Sequence, residues 1–465
     1  MLTLVKNLKT KKSLKKRNWF MKRSVLTAVC CAIIFSGTVV AQENTATQVK
    51  IELDQVVALA LEQNYDVKLY KSYQEQAATD DKYSVGVLLP VINATGSRIW
   101  NSTDQRQVLA NDSVTQRKGV RSNSLNGTLQ LTWTLFDGAK MFATRARLSE
   151  IEQQGELNVK GQMVNTIAQV VNNYYNVVRQ EQQLRAIVLQ MSVSEERVKL
   201  ADRRLQVGTG AKPELLQAKV DLNAQRTAVL QQQTIIQQLK DQLNGLVNMQ
   251  LPAVYNVADT IIIDLDLKEE EIATNIENTN FSLLSYKKSI DVAAFALRER
   301  HGERYPVINF TSAYTYSHSI NSLVINNFTP LDNRNNGFNY GLTLNMPILN
   351  GFNNRRNIQQ ARILVERQTI LYNQQKNLVD VGVKNAFVNY DNAKKVLLIE
   401  EENILVAREN LFISLESFKR GVATFIELRT AQQSLADAYN RLINARYLAK
   451  IAETELLRLN SGLLK

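Results

Sequence analysis

The sequence predicts a mainly α-helical fold, in which long coiled-coil-like helices and four β-strands per chain form a tandem repeat. Three observations carry this prediction: short motifs that recur at a fixed offset, two segments of strict apolar and polar alternation, and long segments free of proline. Among its 465 residues the chain has only 2 Cys and 2 His. A disulfide scaffold and most Cys- or His-based catalysis are therefore excluded.

The amino terminus has the composition of an export signal. Residues 1–41 contain nine Lys or Arg and no acidic residue, followed by an apolar run from Val25 to Val40 and a small-residue site before Gln42. Much of the formal charge of +12 therefore belongs to this segment and does not indicate nucleic-acid binding. Translation starts at Met1 or at Met21, and the sequence does not decide between them.

The rest of the chain contains the same plan twice. The segment 89–95 (LPVINAT) returns as 305–311 (YPVINFT), an offset of 216, and 135–138 (LFDG) returns as 348–351 (ILNG), an offset of 213. An internal repeat of this length indicates a duplicated structural unit.

Each copy is expected to contain a β-hairpin. From Leu125 to Leu135 every second residue is apolar or Gly, and the residues between are Asn, Gln or Thr; 338–346 repeats the pattern. Less regular strands are predicted upstream, over 91–100 and 307–320. The polar stretches 101–121 and 321–337 are expected to be long hairpin loops.

The remaining segments are predicted to be helices. No proline interrupts 140–206, 214–247, 355–418 or 425–460, where an interior proline would cost about 3 kcal/mol. The shorter two carry heptad seams, which indicate coiled-coil packing. These seams contain Leu215, Leu222, Val229, Ile236 and Leu243 in one, and Leu428, Leu435, Leu442 with Ala431, Ala438, Ala445 and Ala452 in the other.

The alternating strands have the length and pattern of transmembrane barrel strands. Four strands cannot close a barrel, for which about eight are needed, and open sheet edges are not tolerated in lipid. Closure would require two chains with 8 strands or three with 12. A small soluble sheet with one packed face is the alternative interpretation.

The chain has a duplicated order of helix, hairpin, long helix, turn and helix. The hairpins end in LFDG and ILNG, and the turns VGTG and RGVA are each followed by Glu-Leu. These features together resemble the TolC-type outer membrane efflux family. The resemblance covers 52–460. It implies a homotrimer in the outer membrane, with a 12-strand barrel continued by a periplasmic tunnel of 12 helices. It also implies an exit duct, for efflux or type I secretion, that works with an inner-membrane pump and a periplasmic adaptor.

On this plan the chain divides into four segments. These are a signal peptide (1–41), a first repeat (42–247), an equatorial linker (248–271) and a second repeat (272–465).

The resemblance places a gate at the periplasmic tip, at the turns Gly208 to Glu214 and Gly421 to Glu427. Carboxylates repeated around a constriction would favour cations. The chain departs from the family pattern at Ala423 and Thr430, where a gate-locking Arg and a second Asp are common, and Phe418 replaces an aromatic hydroxyl. A closed-state lock would therefore use other residues, with Arg420 and Arg429 as candidates.

Both glutamates have a simpler interpretation. The segment Thr424 to Glu427 matches a capping box, which satisfies helix N–H groups without gating. The charge of Glu214 also suits the start of a helix.

The expected function is a passive duct without catalysis, cofactor or metal. A periplasmic coiled-coil adaptor and an exported carboxylate-dependent hydrolase are the alternatives, but no converging set of acids supports the hydrolase. The sequence does not indicate the cargo or the partner pump.

Overall fold

The computed structural model describes residues 49–464, except 253, 259 and 326. The predicted signal peptide at 1–41 lies outside the described residues. Residues Lys50–Lys465 form one compact unit.

The two halves of the chain contain the same succession of elements. The first half contains β1 (Val49–Lys50), α1 (Leu53–Gln63), α2 (Tyr65–Tyr83), a 3₁₀ turn (Ser84–Leu88), β2 (Val91–Val108), β3 (Val114–Phe136), α3 (Lys140–Gln206) and α4 (Lys212–Leu246). The second contains β4 (Tyr255–Asn256), α5 (Glu269–Ala273), α6 (Ile276–Thr279), α7 (Phe281–Gly302), β5 (Val307–Leu323), β6 (Asp332–Asn345), α8 (Asn353–Lys419) and α9 (Phe425–Leu459).

The four predicted long helices are confirmed. Helices α3 and α8 have 67 residues each, and α4 and α9 have 35 each. At about 1.5 Å per residue, the longer pair extends about 100 Å. Among the described residues, no helix combines the length and the hydropathy that crossing a bilayer requires.

The predicted heptad seams are the buried faces of the shorter helices. In α9, Leu428, Ala431, Ala438, Leu442 and Ala445 are all at most 6% exposed. The small alanines allow α9 to approach α8 and α3 closely. In α4, Leu215, Leu222, Ile236 and Leu243 are likewise buried, and Val229 is half-buried.

An equivalent asparagine in each half makes the same set of hydrogen bonds. The Asn64 side chain caps α2 by accepting from the backbone N–H of Asp66 (2.9 Å) and donates to the carbonyl of Leu246 (3.0 Å). Asn280, 216 residues later, caps α7 and donates to the carbonyl of Leu459 (2.8 Å). In each half, the helix before the hairpin is thus tied to the end of the shorter coiled-coil helix.

Two tyrosines, also 216 residues apart, hold extended chain against the long helices. The Tyr174 hydroxyl donates to the carbonyl of Ile51 and accepts from the N–H of Ala258, both at 2.9 Å. The Tyr390 hydroxyl donates to the carbonyl of Asp264 at 2.8 Å. These bonds fix part of the 248–271 linker on α3 and α8.

The strands are longer than predicted, and the prediction of long hairpin loops at 101–121 and 321–337 was wrong. Strand β2 continues to Val108 and β3 begins at Val114, so the first loop has five residues. Strand β5 ends at Leu323 and β6 begins at Asp332. Ladder hydrogen bonds are made by the backbone, so polar side chains exposed on both faces do not end a strand.

The strands form one antiparallel sheet in the order β2-β3-β5-β6. The contact between β3 and β5 joins the two hairpins, with Leu125 opposite His318 and Leu129 opposite Tyr314. Strands β2 and β6 are the edges of this sheet, and neither has an outer partner within the described chain.

Register assigns every side chain of the sheet to one of two faces. The apolar face carries the odd positions of β3 from 121 to 133 and the residues opposite them, among them Leu129, Tyr314 and Phe338. The polar face carries the alternate residues, among them Thr128 and Gln130. The apolar residues from Leu125 to Leu135 span about 34 Å of strand, or about 25 Å of height at a tilt of about 40°.

Candidate gate at the helical tip

The tip of the helices is formed by two turns of the same design. Gly208 and Gly421 end α3 and α8 in the left-handed conformation, with φ of +77° and +78°. The backbone N–H of Gly210 donates to the carbonyl of Arg204 (2.9 Å), and that of Val422 donates to the carbonyl of Ser417 (3.0 Å). Both turns thereby satisfy carbonyls that the helix end would leave free.

The two glutamates behave differently after these turns. Glu427 completes the predicted capping box: its carboxylate accepts from the N–H of Thr424 (2.7 Å), and the Thr424 hydroxyl accepts from the N–H of Glu427 (3.3 Å). Glu214 lies in the first turn of α4, whose N-cap residue Ala211 has no capping side chain. Glu427 is exposed and Glu214 is half-buried, so both carboxylates keep access to water.

The other residues named from sequence separate into two environments. Arg420 and Thr430 are exposed, and the Thr430 hydroxyl donates to the carbonyl of Ile426 within its own helix (3.0 Å). Phe418 is only 3% exposed and packs with Leu411 and Leu428. The Arg204 guanidinium lies 5.0 Å from the centre of the Phe418 ring, on which it stacks.

A buried arginine joins three helices above the turns. Arg197 of α3 is 3% exposed and contacts Asp221 of α4 at 2.5 Å. It also donates to the side-chain oxygen of Gln432 of α9 at 3.1 Å. Arg429 of α9 lies 3.4 Å from the same carboxylate of Asp221. Burial lowers the pKa of Arg197, and Asp221 acts in the opposite direction; arginine nevertheless stays charged.

Gln432 completes this network. Its amide nitrogen donates to the Ser194 hydroxyl (3.0 Å) and to the carbonyl of Gln190 (3.2 Å), both on α3. Further from the tip, α3 and α9 are joined by Gln183 and Asn440 at 2.5 Å and by Arg179 and Asn444 at 3.3 Å. We call this contact the α3–α9 seam, defined by Arg179, Gln183, Ser194, Arg197, Gln432, Asn440 and Asn444.

The seam differs from the contact within each helix pair. Helices α8 and α9 pack through apolar residues such as Leu397, Ile404 and Leu442. The seam residues instead meet through hydrogen bonds, beside which Leu200 of α3 packs against Phe418 and Leu428 of the tip cluster. Water can replace hydrogen bonds when surfaces separate, so the polar part of this contact costs less to expose than an apolar one.

Sequence reasoning named Arg429 as a possible lock residue but missed Arg197, Asp221 and Gln432. Their partners lie on different helices, up to 242 positions away, so no local motif marks them. Arg197 and Asp221 each read as an ordinary charge on a helix surface.

His318 lies on β5, away from the helical tip, and its Nε2 lies 3.0 Å from Asp332 on the neighbouring strand. Among the described residues, no group of acids, His or Cys could hold a metal ion.

An antiparallel sheet with one continuous apolar face, joined to a bundle about 100 Å long, defines the subunit of an outer-membrane channel. The chain belongs to the outer membrane efflux protein family, whose model matches residues 56–249 and 274–461. It is an outer-membrane protein with a role in efflux.

Individual relatives agree with this assignment. The chain is 24% identical to the outer membrane protein TolC of Salmonella enteritidis, over 74% of this chain and 73% of the relative. It is 22% identical to the outer membrane efflux protein BepC of Brucella suis, over 92% and 89%. The crystal structure of the outer membrane protein VceC from Vibrio cholerae has the same fold, with a TM-score of 0.71 at 14% identity over 88% and 96% of the two chains.

Proposed function

We propose that three copies of the chain form a passive export duct in the outer membrane. The observation that carries the proposal is the sheet with two free edges, β2 and β6, and one apolar face. Lipid offers no hydrogen-bond partner to a strand edge, so the edges must pair with other copies. Three copies supply 12 strands, which leave room for a lumen.

The helices support the same assembly. Helix α8 exposes large apolar residues such as Ile370, Val388 and Phe412, each 59–67% exposed in the single chain. Helix α4 likewise exposes Val220 and Leu230. A second copy that covers these residues would extend four helices per chain into a tunnel of 12.

We infer that the chain performs no chemistry and binds no cofactor. Energy would come from an inner-membrane pump linked through a periplasmic adaptor, and the cargo would pass through the lumen. The export signal (1–41), the two repeats (42–247 and 272–465) and the linker (248–271) remain our proposed division of the chain.

The gate would lie at the turns around Gly208 and Gly421. It would open when the α3/α4 and α8/α9 pairs separate along the α3–α9 seam, whose lock we assign to Arg197, Asp221 and Gln432. The exposed carboxylate of Glu427 and the half-buried one of Glu214 would then border the opening and favour cations.

Planar-bilayer recordings test this proposal. Glu427→Gln removes the charge but keeps a side chain that can complete the capping box, so it separates gating from capping. We expect wild-type pores that prefer cations and a weaker preference in the variant, with unchanged thermal stability. Glu409→Gln, on the exposed surface of α8, is the matched control.

Two outcomes would contradict the proposal. Identical ion selectivity of Glu427→Gln and the wild type would remove Glu427 from the gate. A purified chain that is monomeric and soluble without detergent would instead favour the periplasmic adaptor.

A further inference from the structure

The central part of the sheet carries its charged side chains on one face and at one end. On the polar face, positions 91–103, 120–134, 307–321 and 333–345 contain no ionisable residue and consist mainly of Asn, Gln, Ser and Thr. Apart from tyrosines, the apolar face of the same segments and of the adjoining position 332 holds five ionisable residues: Arg98, Arg121, His318, Asp332 and Arg334. Charge here is thus directed towards the membrane and away from the lumen.

Four strands bring these five residues together. Arg98, Leu125, His318 and Arg334 form one continuous register row across β2, β3, β5 and β6. Asp332 lies in the next row, and Arg121, opposite Ser102, lies one row further. Both rows are on the side of the hairpin loops, opposite the helices.

The cluster keeps a net positive charge. Asp332 contacts His318 at 3.0 Å and Arg334 at 3.5 Å, and it is the only carboxylate among the five. Arg98 makes a neutral hydrogen bond to Asn123 (3.3 Å) and lies 5.1 Å from the centre of the Trp100 ring. Within the described chain, neither Arg98 nor Arg121 is joined to a carboxylate, and both side chains are exposed.

The height of the cluster on the sheet matches that of lipid headgroups. It lies at the end of the apolar band furthest from the helices, directly beyond Tyr316, and the exposed aromatic ring of Trp100 lies within it, in the row of Asp332. Aromatic rings mark the interfaces of barrel proteins, and a lipid-facing arginine costs little there but about 2–4 kcal/mol at the midplane. The rows of arginine therefore lie at the extracellular surface of the membrane.

We propose that Arg98, Arg121 and Arg334 form a binding surface for phosphate-bearing lipid headgroups of the extracellular leaflet. Guanidinium groups bind phosphate oxygens through paired hydrogen bonds, and they face the leaflet that would supply those phosphates. If these cations served the cargo, they would lie on the polar face, which contains none within these central segments. The surface anchors the barrel rim to anionic lipid.

Native mass spectrometry of the delipidated protein in neutral detergent tests the assignment. The probes are lipid A with both phosphates and the same lipid after dephosphorylation. We expect tighter binding of the phosphorylated form by at least tenfold, because each interfacial cation contributes about fivefold. The triple variant Arg98→Gln/Arg121→Gln/Arg334→Gln is expected to lose this preference.

The matched control removes the same charge elsewhere. Arg203→Gln/Arg362→Gln/Arg367→Gln alters exposed helix residues and is expected to keep the preference. Oligomer mass and pore conductance, measured on the same samples, show whether each variant still assembles, which separates a failure here from a failure of the proposed duct.

Three results would overturn the proposal. These are equal binding of both lipids by the wild type, an undiminished preference in an assembled triple variant, and displacement of the lipid by inorganic phosphate at millimolar concentration. The last would show a site for free phosphate rather than for a headgroup.

Discussion

Replacing Gln432 by leucine tests whether the α3–α9 seam holds the tip closed. Gln432 is 5% exposed, accepts a hydrogen bond from Arg197 and donates to the Ser194 hydroxyl and to the carbonyl of Gln190. Leucine has a similar volume but no polar atom, so the variant loses all three bonds without opening a large cavity. Asp221 still pairs with Arg197, so the buried guanidinium is not left without a counter-charge.

The size of the effect follows from these three bonds. A hydrogen bond to a charged group contributes about 1.5–3 kcal/mol and each neutral one about 1 kcal/mol. The closed arrangement should therefore lose about 4 kcal/mol per subunit, which is on the order of 1,000-fold in the equilibrium between closed and open tips. Because a separated seam exposes Gln432 to water in the wild type, the loss falls on the closed state.

Single-channel recording in planar bilayers measures this equilibrium. We expect the Gln432→Leu channel to spend far more time at high conductance than the wild type at the same voltage. Gln433→Leu is the matched control, because the neighbouring side chain is exposed and bonds Asp437 of its own helix. If both variants gate like the wild type, the seam does not control opening and our reasoning is refuted.

Two further predictions concern stability. Gly421 has a φ of +78°, so Gly421→Ala is expected to destabilise the tip by about 1–2 kcal/mol, which would be measured as faster proteolysis at the turn. The control Gly245→Ala, within α4, should be neutral or stabilising. Equal effects of the two variants would contradict the turn assignment. Burial raises the pKa of Glu453, although Lys450 nearby acts in the opposite direction. The charged form of Glu453 therefore destabilises the folded state above that pKa. This destabilisation disappears as the pH falls below the pKa that Glu453 has in the unfolded chain. The melting temperature of Glu453→Gln relative to the wild type should therefore rise as the pH increases above the ordinary value of 4.5, and a difference independent of pH would contradict this assignment.

The elements of the fold were predictable because each has a local signal. Proline-free segments and heptad leucines located α3, α4, α8 and α9 to within three residues. Alternation located the membrane-facing parts of β3 and β6. Alternation failed over 101–121 and 321–337, which the structure shows to be largely strand. Outside the lipid neither face of a strand needs apolar side chains, so the pattern that identifies a strand disappears there.

The candidate site was predictable only in part. Gly208, Gly421 and the capping box of Glu427 are local features, and all three are present at the tip. Phe418 was expected to stand in for a gate contact, but it lies in the core beside Leu428, since its orientation depends on how α8 packs on α9. Arg197 and Gln432 were missed because their partners come from both halves of the chain.

The sequence by itself determined the repeat, the helices and the turns, because apolar periodicity and turn residues act within one segment of the chain. Only the tertiary structure decided which polar residues meet at the α3–α9 seam and which arginines line one row of the sheet. Those contacts depend on helix rotation and strand register between residues more than 200 positions apart, and no pattern along the chain encodes either in a readable form.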